Sequence, residues 1–187
     1  MRLIGNIVSL VPLALDQIPD LLEYSSDPSL WTWWIRNPPV DEAAMRVEVE
    51  LALARQAEGV RVPFAIYHNE RREHVGSTSL WYIDPVKHSL EIGSTWLGVP
   101  FHGMGVNREC KDLLLAHAFD GLEMETVILQ TDELNARSRR AIEKLGAVFQ
   151  EVRKNDMVAW NGRVRSSVYY ALTRESWDNA RSFQLSL

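Results

Sequence analysis

Leu90-Glu91-Ile92-Gly93-Ser94-Thr95-Trp96-Leu97, followed shortly by His102-Gly103-Met104-Gly105-Val106-Asn107, is the stretch on which the fold turns. The first segment reads as the end of a strand over 89–97, and residues 98–107 as a glycine-rich loop. A helix is expected over 108–119, with Gly121 just past it, and Thr126–Thr131 returns as a short strand. Strand, loop, helix and strand make a βαβ crossover, which is right-handed and places its two strands parallel. Two glycines before a helix allow a tight turn and close approach of a ligand to the backbone. The free N–H groups of the first helical turn and the helix dipole favour a phosphate or pyrophosphate there. A Walker loop would end in Lys-Ser/Thr, where this chain has Val106-Asn107. A Rossmann fingerprint would place a third glycine at position 108, which is Arg, so dinucleotide binding ranks low.

Working outward, three strands, Val62–His68, Val75–Ile83 and Ser89–Leu97, are separated by Asn69-Glu70-Arg71-Arg72 and Asp84-Pro85, as in an antiparallel meander. Upstream lie a loosely alternating strand over 4–11 and a short helix over 13–24. An aromatic stretch follows, with Trp31, Trp33 and Trp34, ending at Pro38-Pro39. Asp41 caps a helix over 42–57 whose apolar stripe is read as Ala44, Val47, Leu51 and Ala54. Downstream, Asn135–Leu145 reads as a helix stopped at Gly146, and Ala147–Arg153 and Arg165–Thr173 as two closing strands. The order predicts an α+β (mixed α/β) domain: a mixed, mostly antiparallel sheet of about seven strands, helices on both faces, and a central βαβ crossover.

The chain of 187 residues is expected to form one domain, 1–187, since domains cluster near ~100–150 residues. With 20 Lys+Arg against 25 Asp+Glu it carries −5, which disfavours a general nucleic-acid binder. Cys110 stands alone, so no intrachain disulfide is possible and a reducing cytoplasm is the expected compartment. It falls on an apolar helix face with Leu113 and Leu114 and reads as core rather than nucleophile. Neither a signal peptide nor an apolar run of the ~20 residues needed to span a bilayer is read, and no membrane partner is expected. The histidines 68, 74, 88, 102 and 117 show no metal-ligand spacing, so no metal site is expected.

The loop resembles motif A of the GNAT superfamily of acetyl-CoA-dependent N-acetyltransferases, Gln/Arg-x-x-Gly-x-Gly/Ala before a helix with an early Glu. Gly105 falls on the central glycine and Glu109 on that Glu; His102 and Asn107 depart from the pattern. The flanks carry the resemblance further. Glu91-Ile92-Gly93 through Leu97 resembles the Glu-Ile-Gly-x-x-x-Leu strand of the ribosomal-protein N-terminal (Rim-type) branch. Asn135-Ala136-Arg137-Ser138 through Lys144-Leu145-Gly146-Ala147 resembles that branch's Asn-x-x-Ser…Lys-x-Gly-Phe helix. All these segments fall in family order.

The resemblance implies a GNAT fold, acetyl-CoA as cosubstrate, and a primary-amine acceptor, protein N-terminal or small molecule. A non-catalytic acyl-CoA-binding regulatory module is the rival from another class. The cofactor residues implied are Ser94, Thr95 and Trp96 on the strand, His102, Gly103, Met104, Gly105, Val106, Asn107 and Arg108 around the loop, and Asn135 and Ser138. Asn135 and Ser138 lie one turn apart on one helix face. Ser138 is the candidate proton donor to the departing thiolate, because Ile142 stands seven residues after Asn135, where other members place a Tyr. Asn135 also suits a helix N-cap. Glu91 is the first candidate for general base and touches the acceptor; Asp132 and Glu151 follow. Trp31, Trp33 and Trp34 would wall the acceptor cleft or a homodimer surface. Gly93 would ease a splay of its strand. Residues 16–58 hold nine Asp/Glu and three Arg, and residues 133–165 eight Lys/Arg and four Asp/Glu. That division suits a cationic amine on one side and phosphates on the other.

Overall fold

The computed structural model of the protein describes residues 1–185. Eight described strands form one sheet: β1 (Leu3–Ile4), β2 (Val8–Pro12), β3 (Arg61–His68), β4 (Glu73–Asp84), β5 (Ser89–Leu97), β6 (Thr126–Asp132), β7 (Val148–Val158) and β8 (Val164–Thr173). They lie in the order β1-β2-β3-β4-β5-β6-β8-β7. β5 and β6 are parallel, and the other neighbours are antiparallel. The five described helices are α1 (Ile18–Ser25), α2 (Glu42–Ala57), α3 (Val106–Ala116), α4 (Ala136–Glu143) and α5 (Arg174–Leu185).

Alternation along the strands feeds two cores, because successive side chains leave opposite faces of a sheet. On one face Leu10, Ile66, Leu80, Ile92, Leu129 and Leu172 pack with Val106, Cys110 and Leu114 of α3 and Trp177 of α5. On the other, Ala65 and Trp96 pack with Ile18 and Leu21 of α1, Met45 and Val49 of α2, and Trp31. Cys110 is fully buried, and burial pushes its thiol up to about 11.

The expected sheet is present with one more strand. The segment read as a single strand over 4–11 breaks after Ile4. The Glu109 carboxylate accepts from the amides of Asn6, Ile7 and Val8 at 2.9, 2.7 and 2.7 Å and draws that backbone out of line. The stripe read on α2 is also corrected. Met45, Val49 and Ala52 are buried, whereas Val47 and Leu51 are exposed. That helix is apolar on more than one side, and the stripe facing β3 is the one that packs. α5 was not foreseen. Trp177 at its start enters the core and donates its indole N–H to Asp112 Oδ1 at 3.3 Å.

Candidate active site

The β5–β6 ladder runs from Ser89↔Thr126 to Ile92↔Leu129 and stops there. Beyond Ile92, β5 stays with β4, and β6 stays with β8 through Asp132↔Ser167. The two parallel strands therefore diverge, and backbone groups of Gly93–Leu97 face a gap with no strand partner. Between Ser77↔Trp96 and Ser79↔Gly93, β5 carries two residues opposite one on β4, which is a bulge. Its left-handed residue is Ser94, at φ 49°, rather than Gly93 as the sequence suggested. A non-glycine residue held there costs about 1–3 kcal/mol, a cost that concentrates at functional sites.

The gap opens into a cleft of about 800 Å³. At one end stands the start of α3. Its N-cap is Gly105, at φ 81°, which has no side chain to cap the first turn. The amides there are left for an external anion. Asn107, in that first turn, lines the cleft. Of the loop, Val106 turns its side chain into the core and Met104 points to solvent, so these two contribute backbone only. His102 is held on both ring nitrogens: Arg137 Nη1 donates to Nδ1 at 3.0 Å, so Nε2 carries the proton and donates to Leu97 O at 2.8 Å. Burial, with Arg137 adding to it, lowers its pKa, and it ties β5 to α4 as a neutral imidazole. Arg108, Arg137, Arg140 and Lys144 line the same end. Of the eight basic residues of 133–165, Arg137, Arg140, Lys144 and Arg165 line the cleft.

α4 brings Asn135 and Ser138 to the cleft wall. Asn135 is the N-cap, its Oδ1 accepting from Ser138 N at 3.0 Å. The cap leaves the Asn135 amide N–H groups and the Ser138 hydroxyl unspent among the described residues.

At the other end stands Glu91, half-buried, accepting from Gln130 Nε2 at 2.9 Å. Burial raises its pKa, opposed by that hydrogen bond and by Arg165 and Arg153. The two lesser candidates for base are engaged elsewhere. Asp132, fully buried, pairs with Arg163, lies 3.9 Å from Arg165 Nε and accepts from Leu134 N at 2.9 Å. Glu151 is exposed and pairs with Arg153 at 2.7 Å.

The three tryptophans separate. Trp33 and Trp34 line the cleft, with Arg163 over the Trp33 ring at 5.3 Å. Trp31 does not: it is 3% exposed, donates to Ser25 O at 2.8 Å, and packs edge-on against Trp34 with centroids 5.4 Å apart. Its expected place on the cleft is corrected to a support behind Trp34. Trp96 likewise buries its ring against Trp31, at 5.5 Å, and offers the cleft its backbone. The acidic acceptor side is corrected as well. None of the nine carboxylates of residues 16–58 lines the cleft; Asp27 and Asp41 cap helical turns, Asp20 holds His74, and Glu48 pairs with Arg36. Glu91 and Asp132 are the carboxylates in the lining, and Asp132 is neutralised by its arginines.

Such a cleft, with an uncapped helix start and basic side chains at one end and an unpaired strand edge leading to a half-buried carboxylate, fits an elongated ligand that is anionic at one tip. The family model described as "Acetyltransferase (GNAT) domain" matches residues 8–148. The chain belongs to the GNAT acetyltransferase family. This bears out the family resemblance and the fold. A Bacillus subtilis (strain 168) protein named "Putative ribosomal N-acetyltransferase YdaF" is 30% identical over 106 residues, and the match spans 57% of each chain. Of solved GNAT-like structures, that of a T. thermophilus protein described as a "putative acetyltransferase" is 35% identical, covers 99% of this chain and 95% of that one, and gives a TM-score of 0.87. Mycobacterium smegmatis RimJ, solved in complex with CoA-disulfide, is 18% identical over 90% of this chain and 82% of that one, and shares the fold with a TM-score of 0.78. The name of the B. subtilis relative agrees with the Rim-type branch read from the sequence.

The contacts of two charged residues of α3 were missed. Glu109 was matched to the family pattern without its role, and Lys111 gave no signal, since a lysine inside an amphipathic helix reads as solvated. No described helix is long and apolar enough to cross a membrane, and no described group of three His, Cys, Asp or Glu could hold a metal ion.

Proposed function

We propose that the protein is an acetyl-CoA-dependent N-acetyltransferase acting on a primary amine, with a protein N-terminal amine as the favoured acceptor. The observation that carries this is the divergence of β5 and β6 beyond Ile92 beside the uncapped start of α3. When bound, acetyl-CoA supplies an activated acyl carbon and a thiolate leaving group. The amides around Gly103–Arg108 would hold its phosphates, with Arg137 and Arg140 screening their charge. The free edge of Gly93–Leu97 would pair with its pantetheine arm, as a strand edge pairs with an added strand. Asn135 would donate to the arm, and Ser138 would hydrogen-bond the sulfur.

The acceptor would enter between Trp33 and Trp34. Glu91 would take the amine proton, directly or through one water. Burial suits it to that task, because a base whose pKa is raised toward neutrality both ionises and accepts protons effectively. The protein-acceptor reading draws on the YdaF name. Glu91, the one carboxylate of the described cleft lining outside an ion pair, fits a single amine rather than a polycation. A screen of acetyl-CoA consumption against N-terminal peptides and small amines tests the reading. Turnover with peptides supports it; turnover with small amines alone replaces the acceptor class; CoA binding without turnover favours a regulatory module.

A further inference from the structure

Lys111 lies on the buried face of α3, 8% exposed, and lines the cleft. Its Nζ donates to Thr95 Oγ1 at 2.7 Å, and Thr95 Oγ1 meets Thr78 Oγ1 at 2.7 Å. The lysine therefore grips β5 at its bulge. An ammonium has three N–H donors, and one is spent here. No described carboxylate pairs with it, and its neighbour Cys110 offers no counter-charge, since burial pushes that thiol up to about 11. A buried charge without a counter-charge is a cost to folding. Burial accordingly lowers the pKa of Lys111.

Its depth in the site is informative. Lys111 lies five residues after Val106, the first of α3, about 7.5 Å from it along the axis at 1.5 Å per residue. It sits level with Thr95, between the first-turn amides and Glu91. The phosphate end already has Arg108, Arg137 and Arg140 nearer to solvent. On the acyl-CoA reading, the neutral arm, with its amide carbonyls, would pass at the level of Thr95.

We infer that Lys111 is a cofactor ligand: its ammonium, anchored on Thr95, donates a hydrogen bond to a carbonyl oxygen of the acyl-pantetheine arm. This rests on the acyl-CoA reading above. It explains why a cation is kept in a place that otherwise calls for an apolar residue.

The test is Lys111→Met in the full-length protein, with apo Tm and calorimetric Kd values for three probes. These are acetyl-CoA, acetyl-pantetheine (the arm without the nucleotide) and adenosine 3′,5′-bisphosphate (the nucleotide without the arm). The expected result is an unchanged or higher apo Tm. Acetyl-CoA and acetyl-pantetheine should bind about tenfold more weakly, the loss of one hydrogen bond to a charged group, and the bisphosphate should bind as before. Unchanged acetyl-CoA affinity would overturn the inference, as would a loss shared by the bisphosphate. A lower Tm with intact affinity would make Lys111 a strut and overturn it too. If the Met variant does not fold, Lys111→Gln is compared in the same way, and Thr95→Val, which removes the anchor, should weaken acetyl-CoA binding but not bisphosphate binding. Wild-type protein that binds none of the three probes would overturn the acyl-CoA reading itself.

Discussion

Glu91→Gln separates the chemistry of this site from its architecture. The substitution is isosteric, and a glutamine Oε1 still accepts from Gln130 Nε2, which now bonds Glu91 at 2.9 Å. No cavity opens, so what disappears is the proton acceptor. A positioned base is worth about 10²–10⁴-fold in rate. Because Glu91 is partly open to the cleft and can work through a water, the lower half of that range applies, about 10²–10³-fold or about 3–4 kcal/mol of barrier. Thiol release from acetyl-CoA at saturating peptide measures it. In the wild type, kcat/KM should rise with pH as Glu91 deprotonates, above the usual carboxylate range because burial raises its pKa. The variant should lack that limb. Stability should move the other way. A carboxyl whose pKa is raised on folding binds its proton more tightly in the native state, so its contribution falls as pH rises from the unfolded pKa through the folded one. At neutral pH the Gln variant should be as stable as the wild type or more so. A kcat within about threefold of wild type, with the same acidic limb, would refute the assignment.

Gly105→Asp should fold with a lower Tm, since a left-handed non-glycine residue costs about 1–2 kcal/mol and its Cβ would lie 3.3 Å from Ile7 Cδ1. It should also lose CoA affinity by calorimetry, through bulk and like charge at the helix start. Ser138→Ala should lower kcat by about 10²-fold, the low end for a proton donor, with acetyl-CoA Kd unchanged in a single-turnover assay; intact kcat would return Ser138 to a packing role. Trp34→Ala should raise the acceptor KM more than the acetyl-CoA KM, whereas Trp31→Ala should cost about 3–5 kcal/mol in urea unfolding. Glu109→Gln weakens three amide contacts, and urea unfolding should show a loss of about 2 kcal/mol.

The parts of the fold that were legible share a feature: their signals are local. The 89–131 crossover could be read because alternation, a Gly-x-Gly turn and an amphipathic helix follow one another. The unforeseen parts depend on contacts distant in sequence. Nothing near Gly5 announces that Glu109 takes three amides there and splits the first strand. Trp31, Trp33 and Trp34 are one aromatic cluster in sequence; the turn over Pro28–Trp31 is what sends one inward and leaves two on the cleft. The bulge falls at Ser94 rather than at the glycine beside it, because the register of β4 fixes it there. Charge counts misled for a similar reason. The acidic residues of 16–58 look like a field, but capping and pairing spend several of them away from the cleft.

Amide hydrogen exchange with and without CoA bears most directly on the central claim that the gap between β5 and β6 receives the cofactor. Protection should appear at Gly93–Leu97 and at Met104–Arg108, with little change in β1–β3. Saturable CoA binding that leaves both segments exchanging as in the free protein would contradict it.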